Sequence, residues 1–199
     1  MFDMKEHEFD ESTFLGGWYM PEDICDNIIN FWNENQHHTK KGTVSNNFGL
    51  KVDLERKDSW DIGIGRDYFE EPFKGYRIFL QQCLNNYRDR YPHVDMNSLY
   101  DIVEPYNVQG YAPGGGFKQW HCEVSNPNVM RRILVFMTYL NDVPDGGTEF
   151  YHQKVTCPAK KGLTIIWPSH WTHSHRGQVS KEHNKLIVTG WFSYKGHQG

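Results

Sequence analysis

Two stretches of this chain, Ile133-Leu134-Val135-Phe136-Met137 and Leu163-Thr164-Ile165-Ile166-Trp167, are apolar at successive positions rather than at alternate ones. A strand with one face in water alternates, so runs of this kind predict strands covered on both faces. The wider texture agrees. Ile102 to Tyr111, Arg132 to Leu140, Leu163 to Trp167 and Leu186 to Phe192 are rich in β-branched and aromatic residues and are separated by Gly, Pro and Asn. Something must cover the outer face of such a sheet, and the first half of the chain supplies helical patterns that can. Helices followed by strands predict an α+β domain, a β-sandwich or open barrel backed by N-terminal helices.

The first helical pattern opens with Pro21, Glu22 and Asp23, continues through Ile24, Ile28, Phe31 and Trp32 at helical spacing, and is expected to end near Asn35. A second is expected from about Asp67 to Tyr91, with Phe69, Phe73, Tyr76, Leu80, Cys83, Leu84 and Tyr87 on one stripe and Pro92 as the stop. Between them Gly42 to Gly65 is polar and glycine-bearing, which predicts a long loop or mobile hairpin serving as a lid. At 199 residues the chain is long enough for one domain burying roughly 70% of its unfolded surface. Residues 1–98 would then be helical support and substrate loop, and residues 99–195 the β core.

Charge and cysteine usage narrow the function. A formal charge of -4 provides no broad basic field, so nucleic acid is not an expected partner. Cys25, Cys83, Cys122 and Cys157 are scattered with no C-x-x-C pair, which fits reduced thiols and a cytoplasmic location. The opening Met-Phe-Asp-Met-Lys-Glu-His-Glu is acidic where a signal peptide is basic then apolar, and no apolar run approaches the roughly 18 residues of a membrane span.

The sharpest chemical feature is His121-Cys122-Glu123, because on a strand the period of two sends His121 and Glu123 out of one face toward a shared metal ion. Further along, His170, His173 and His175 follow the strand ending at Trp167, so a third ligand is available. Two His and one carboxylate leave coordination positions open, which suits non-heme Fe(II) and dioxygen; zinc would accept the same residues. Lys185 opens the last strand and shares a face with Thr189 and Trp191. An ammonium at the mouth of an apolar strand calls for a fixed carboxylate, with the Thr189 hydroxyl as a second donor.

These motifs resemble 2-oxoglutarate- and Fe(II)-dependent dioxygenases of the prolyl 4-hydroxylase type, nearest to short bacteriophage and bacterial members. The resemblance spans about Ile102 to Phe192. It rests on Tyr111-Ala112-Pro113-Gly114-Gly115-Gly116-Phe117 leading into His121-Cys122-Glu123, on Arg132 to Asp142, on Gly146-Gly147-Thr148-Glu149-Phe150, and on His175 with Lys185 and Trp191. It implies a double-stranded β-helix, a jelly roll of cupin type. Carried onto this chain, it makes His121, Glu123 and His175 the iron ligands, the ten-residue step to Lys185 choosing His175 over His173. It makes Lys185 the partner of the distal carboxylate of 2-oxoglutarate, helped by Tyr111, Tyr139 and Thr189, and it places Arg132 and Trp191 against substrate.

The implied cofactor and co-substrates are Fe(II), 2-oxoglutarate and dioxygen, with ascorbate as an accessory reductant. The implied reaction hydroxylates a prolyl residue of a peptide or protein and releases succinate and CO2. Hydroxylation of another residue, a free amino acid or a small molecule is the neighbouring expectation, and a zinc site or metal-free binding module on the same scaffold is the non-redox one. Two departures stand out. Most of the family has Asp at the position of Glu123, so the longer side chain must fold back to reach the same ion. Arg132 and Tyr139 are seven apart and face opposite ways on a regular strand, so a bulge is needed to bring Arg132 onto the site face. The pair Gly146-Gly147 after Pro144-Asp145 is expected to be a turn belonging to the fold.

Overall fold

The computed structural model describes residues 4–46, 49–96 and 99–196. In chain order the N-terminal half holds β1 (Glu6–His7), β2 (Gly16–Tyr19), α1 (Glu22–Glu34), β3 (Lys40–Lys41), β4 (Val44–Asn46), β5 (Gly49–Lys51), β6 (Lys57–Asp58), β7 (Trp60–Ile64) and α2 (Phe73–Arg90). The C-terminal half holds β8 (Tyr100–Asp101), β9 (Tyr106–Tyr111), β10 (Gly116–Phe117), β11 (Arg132–Tyr139), β12 (Val143–Phe150), β13 (Val155–Ala159), β14 (Leu163–Pro168), β15 (His175–Gly177) and β16 (Lys185–Tyr194). Among the described residues nine strands form one antiparallel sheet in the order β1-β2-β14-β11-β16-β9-β7-β3, with β8 also on β16. A smaller sheet runs β13-β12-β15, and two pairs, β10-β6 and β4-β5, complete the strands.

The consecutive apolar runs are explained by two cores, one on each face of the large sheet. Leu134, Phe136, Ile166 and Val188 point to the helix side, where they join Ile28 of α1 and Phe73, Tyr76, Phe79 and Leu80 of α2. Val135, Met137, Tyr139, Ile165 and Trp167 point the other way and pack with Phe150 and Cys157 of the small sheet. Successive residues of β11 and β14 therefore serve different cores, and neither face can be polar. A buried hydroxyl chain stitches α2 to the sheet: Tyr76 Oη lies 3.1 Å from Thr138 Oγ1, which lies 2.7 Å from Thr164 Oγ1.

Several expectations need correction. α2 begins at Phe73 rather than near Asp67, because Glu71 precedes Pro72 and the residue before a proline is biased away from helical geometry. Phe69 accordingly stays outside the helix and is exposed. The Gly42 to Gly65 segment holds a hairpin of β4 and β5, one of the two expected forms, whose Asn47 and Phe48 lie outside the described residues, but it also holds β7, which joins the large sheet against β9. The N-terminal half thus supplies both ends of the large sheet as well as the helices. The strand expected from Ile102 starts at Tyr106, after Pro105, which has no N–H for a ladder. Gly146 and Gly147 lie within β12, at a register shift between Val143 and Thr148, instead of forming a turn.

No helix among the described residues is long and apolar enough to cross a membrane. All four cysteines are free thiols.

Candidate metal and co-substrate site

His121, Glu123 and His175 converge, with one donor atom from each lying within 4.8 Å of the others. The route differs from the expected regular strand. His121 forms a single antiparallel bridge with His175, each backbone N–H donating to the other's carbonyl at 3.0 and 2.9 Å, and the Glu123 N–H reaches the Ser169 carbonyl at 3.0 Å. The two histidines are therefore neighbours across a bridge, and the carboxylate swings in from the next irregular turn. Phe117 of β10 stacks on the His121 ring with centroids 3.6 Å apart and planes 12° from parallel, which fixes the ring from one side.

The hydrogen bonds set the donor atoms. His121 Nδ1 lies 3.0 Å from the Gln119 carbonyl and His175 Nδ1 lies 2.9 Å from the His173 carbonyl. A carbonyl only accepts, so both Nδ1 atoms carry the proton and both Nε2 lone pairs are free to ligate. Those Nε2 atoms sit 3.4 and 3.5 Å from Glu123 Oε1. Burial lowers the His121 pKa, and the neighbouring His175 lowers it further, which favours the neutral ligating form. Burial alone would raise Glu123, but hydrogen bonds and charge from His121 and His175 outweigh it and hold the carboxyl well below its usual range. Two imidazole nitrogens and one carboxylate oxygen, from one buried and two half-buried residues facing one point, fit a divalent iron with open positions.

The extra methylene of Glu123 is accommodated by a brace. Its Oε2 accepts from Trp191 Nε1 at 2.9 Å, leaving Oε1 for the histidines. The Arg132 guanidinium lies 3.4 Å over the Trp191 ring and is held by a bidentate pair with Glu104 at 2.9 and 2.6 Å. The ladder shifts register between Arg132 and Leu134, supplying the bulge that puts Arg132 on the site face. Arg132 and Trp191 both line the cavity, and both already have partners that orient the acidic ligand. Partners behind a ligand typically tune metal affinity by about 10- to 100-fold. Trp191→Phe is accordingly expected to weaken Fe(II) or Co(II) affinity within that range in a chelator competition, with little change in melting temperature; unchanged affinity would refute the brace.

One cavity of about 810 Å³ is lined by the three ligands, by Lys185, Tyr111, Tyr139 and Thr189, and by Arg132 and Trp191. Lys185 is 6% exposed, and its Nζ donates to the carbonyls of Gly146 at 2.9 Å and Gln178 at 3.0 Å. The third N–H has no partner and no carboxylate is within ion-pair reach among the described residues. Burial pulls its pKa down to about 8 against the opposing field of Asp145. A buried ammonium one bond short is a receptor for an anion. Gly146 makes this possible: a Cβ there would meet Val143 at 2.4 Å and the Lys185 stem at 3.3 Å. The glycine pair read as a turn thus holds the lysine.

Thr189 does not fill the expected role of second donor, because its hydroxyl donates to the Phe136 carbonyl at 3.1 Å. The spare proton lies elsewhere. Tyr139 Oη and Thr148 Oγ1, 2.6 Å apart on the cavity lining, use one hydroxyl proton for that contact and keep a second. Thr148 was hidden in a motif whose glycines drew the reading toward backbone geometry. Of the other histidines, His173 is buried and its Nε2 meets the Thr13 carbonyl at 2.9 Å, while His170 is exposed. Trp120 is 39% exposed, so it is not a core aromatic; it meets Tyr151 edge-on and carries the Arg176 guanidinium over its ring.

Residues 106–193 match the family model of the 2OG-Fe(II) oxygenase superfamily, a segment that contains the three candidate ligands and Lys185. That segment resembles the 2OG-Fe(II) oxygenase superfamily, and the chain as a whole resembles prolyl 4-hydroxylases in fold. A Pseudomonas putida prolyl 4-hydroxylase superposes with a TM-score of 0.66 at 13% identity, covering 94% of this chain and 99% of the other. A viral collagen prolyl hydroxylase from Paramecium Bursaria Chlorella virus-1, in complex with 2OG, gives 0.66 at 16% identity over 92% and 97%. A Trichoplax adhaerens prolyl hydroxylase, in complex with a peptide fragment of the hypoxia inducible factor oxygen degradation domain, gives 0.71 at 14% identity over 92% and 84%. No curated protein sequence matches the chain.

Proposed function

We propose that the protein is a 2-oxoglutarate- and Fe(II)-dependent dioxygenase that hydroxylates prolyl residues in a peptide or protein. The observation that carries this reading is the sharing of one cavity by the His121–Glu123–His175 cluster and the buried, anion-seeking ammonium of Lys185. A zinc hydrolase has no need of a fixed cation for a second carboxylate; a keto diacid chelating iron at one end does. The two facing sheets with a shared inner core support the double-stranded β-helix architecture.

In this reading His121, Glu123 and His175 hold the iron, and Trp191 with Arg132 keeps Glu123 turned toward it. Lys185 and the Tyr139–Thr148 hydroxyl pair receive the distal carboxylate. Bound iron and 2-oxoglutarate supply the oxidising chemistry, in which dioxygen is consumed, substrate is hydroxylated and succinate and CO2 are released. The apolar part of the inner core, Val135, Met137 and Trp167, keeps water from the reacting end. The hairpin of β4 and β5 carries Leu50 on the cavity lining, exposed, and Val52 and Leu54 just after it are exposed too, apolar surface suited to an extended chain.

Loaded with Fe(II), 2-oxoglutarate and air, the protein is expected to release succinate several-fold faster with proline-containing peptides than with free L-proline, with a matching gain of one oxygen in the peptide by mass. Equal stimulation by free proline would move the substrate class to free amino acids, and no stimulation by either would remove the prolyl assignment.

A further inference from the structure

A chain of buried and half-buried polar groups, ending on Tyr111, runs along the same cavity wall. Lys57 of β6, 5% exposed, lies 2.7 Å from Asp61 Oδ2. Ser59 Oγ donates to Asp61 Oδ1 at 2.7 Å, and Gln109 Nε2 donates to Asp61 Oδ2 at 3.2 Å. Tyr111 Oη donates to Gln109 Oε1 at 2.7 Å. The polarity is fixed from one end to the other: the carboxylate only accepts, so the amide nitrogen faces it and the amide oxygen faces the phenol. Lys57, Asp61, Gln109 and Tyr111 all line the cavity.

The two ends of this chain have different addresses. Tyr111 packs its ring 5.2 Å from the Lys185 ammonium, at the end assigned to the co-substrate. Lys57 stands at the base of the β4–β5 hairpin, paired across β6 with Phe117, the residue stacked on His121. The other root of the hairpin is tied to the same place. Gly42 donates to the Ser59 carbonyl at 3.0 Å, and a Cβ on Gly42 would lie 2.2 Å from Ser59 Oγ and 2.9 Å from the Lys57 stem. Both roots of the hairpin therefore converge on Asp61.

We propose that Asp61 and Gln109 are positioning residues: with Lys57 they form a hydrogen-bonded relay that pins the Tyr111 ring beside Lys185 and couples co-substrate occupancy to the order of the substrate hairpin. This rests on the dioxygenase reading and deepens it. Hydrogen bonds linked in series in a low-dielectric wall strengthen one another, so holding Tyr111 still at one end restrains Lys57 at the other. Coupling is reciprocal: whatever 2-oxoglutarate does to the hairpin, a peptide on the hairpin does to 2-oxoglutarate affinity by the same factor.

The test is tryptic cleavage after Lys51 and Arg56, both in the hairpin segment, on the anaerobic Fe(II) protein with and without 2-oxoglutarate, while visible absorbance reports ketoacid binding. In the wild type, 2-oxoglutarate is expected to slow cleavage by about fivefold or more, the lower end for coupled sites. Gln109→Leu, which cuts the relay but leaves the Lys57–Asp61 pair, and Tyr111→Phe, which removes only the hydroxyl, are expected to be cleaved equally with and without 2-oxoglutarate at saturation. Both should also need several-fold more 2-oxoglutarate to reach it. Protection equal to wild type in both variants, or a wild type that binds 2-oxoglutarate with no protection, overturns the relay. Absence of the iron–ketoacid band in the folded wild type overturns the dioxygenase reading itself, and the relay with it.

Discussion

His175→Ala and Glu123→Gln are expected to abolish the iron-to-ketoacid charge-transfer band when the metal-free protein is titrated anaerobically with Fe(II) and 2-oxoglutarate. Loss of a partner behind a ligand weakens metal binding by about 10- to 100-fold, so loss of a ligand itself should exceed about 100-fold and take turnover with it. Glu123→Gln is the sharper of the two. The amide oxygen keeps the position but gives up the charge that balances the metal, and the amide nitrogen meets Trp191 Nε1, donor against donor, where Oε2 now accepts at 2.9 Å. His175→Ala leaves a void against Trp167 and Phe150, whose rings lie 5.1 and 5.8 Å from the imidazole, so its melting temperature should be recorded beside the band. A full-strength band in either folded variant would mean that the iron sits elsewhere.

The second large effect belongs to Lys185. Breaking a buried charge-to-charge contact costs about 2–5 kcal/mol, so Lys185→Met should raise the 2-oxoglutarate dissociation constant roughly 30-fold or more, with Fe(II) affinity unchanged. The pH dependence separates this from general damage. The free protein holds the ammonium with its pKa lowered to about 8, so 2-oxoglutarate affinity is expected to be flat below that value and to fall roughly tenfold per pH unit above it. Lys185→Arg, whose guanidinium stays charged, should shift this fall to higher pH or remove it. Stability runs the other way. The folded-state value lies below the unfolded one, so between about 8 and 10.5 the unfolded chain binds more protons and this group's contribution to stability rises with pH. Calorimetry across that window should show wild type gaining on Lys185→Met; a constant difference would mean that the lysine is not desolvated in solution.

What could be read from the residues and what could not follows a physical line. The two-sided strands were legible because Ile133 to Met137 and Leu163 to Trp167 must satisfy two cores, and burial writes itself into residue type. The convergence of His121, Glu123 and His175 on a cavity shared with Lys185 was legible through chemistry, since such groups are costly to bury unless they are partnered. Contacts that depend on where a side chain turns were not. Trp191, expected against substrate, lines the cavity, and its contact to Glu123 could not be foreseen because an indole N–H finds its acceptor only in three dimensions. Thr148, Gln109 and Asp61 look like ordinary polar residues until the fold closes them on Tyr139, Tyr111 and Lys57. β7 was lost because glycines on either side of Ile64 mask a strand whose Ile62 and Ile64 are buried. The start of α2 was misplaced by weighing the stripe from Phe69 above the veto of Pro72.

β16 carries Lys185 at one end and Trp191 six residues later, both on the site side and paired along their length with β11 and β9. At roughly 3.4 Å per residue the two are about 20 Å apart along the strand. The strand therefore acts as a ruler: the gap between the Lys185 backbone and the Trp191 backbone, whose indole holds Glu123, is set by backbone pitch rather than by flexible side chains. A one-residue insertion between them would therefore keep one of the two on the cavity side and turn the other to the opposite face of the sheet.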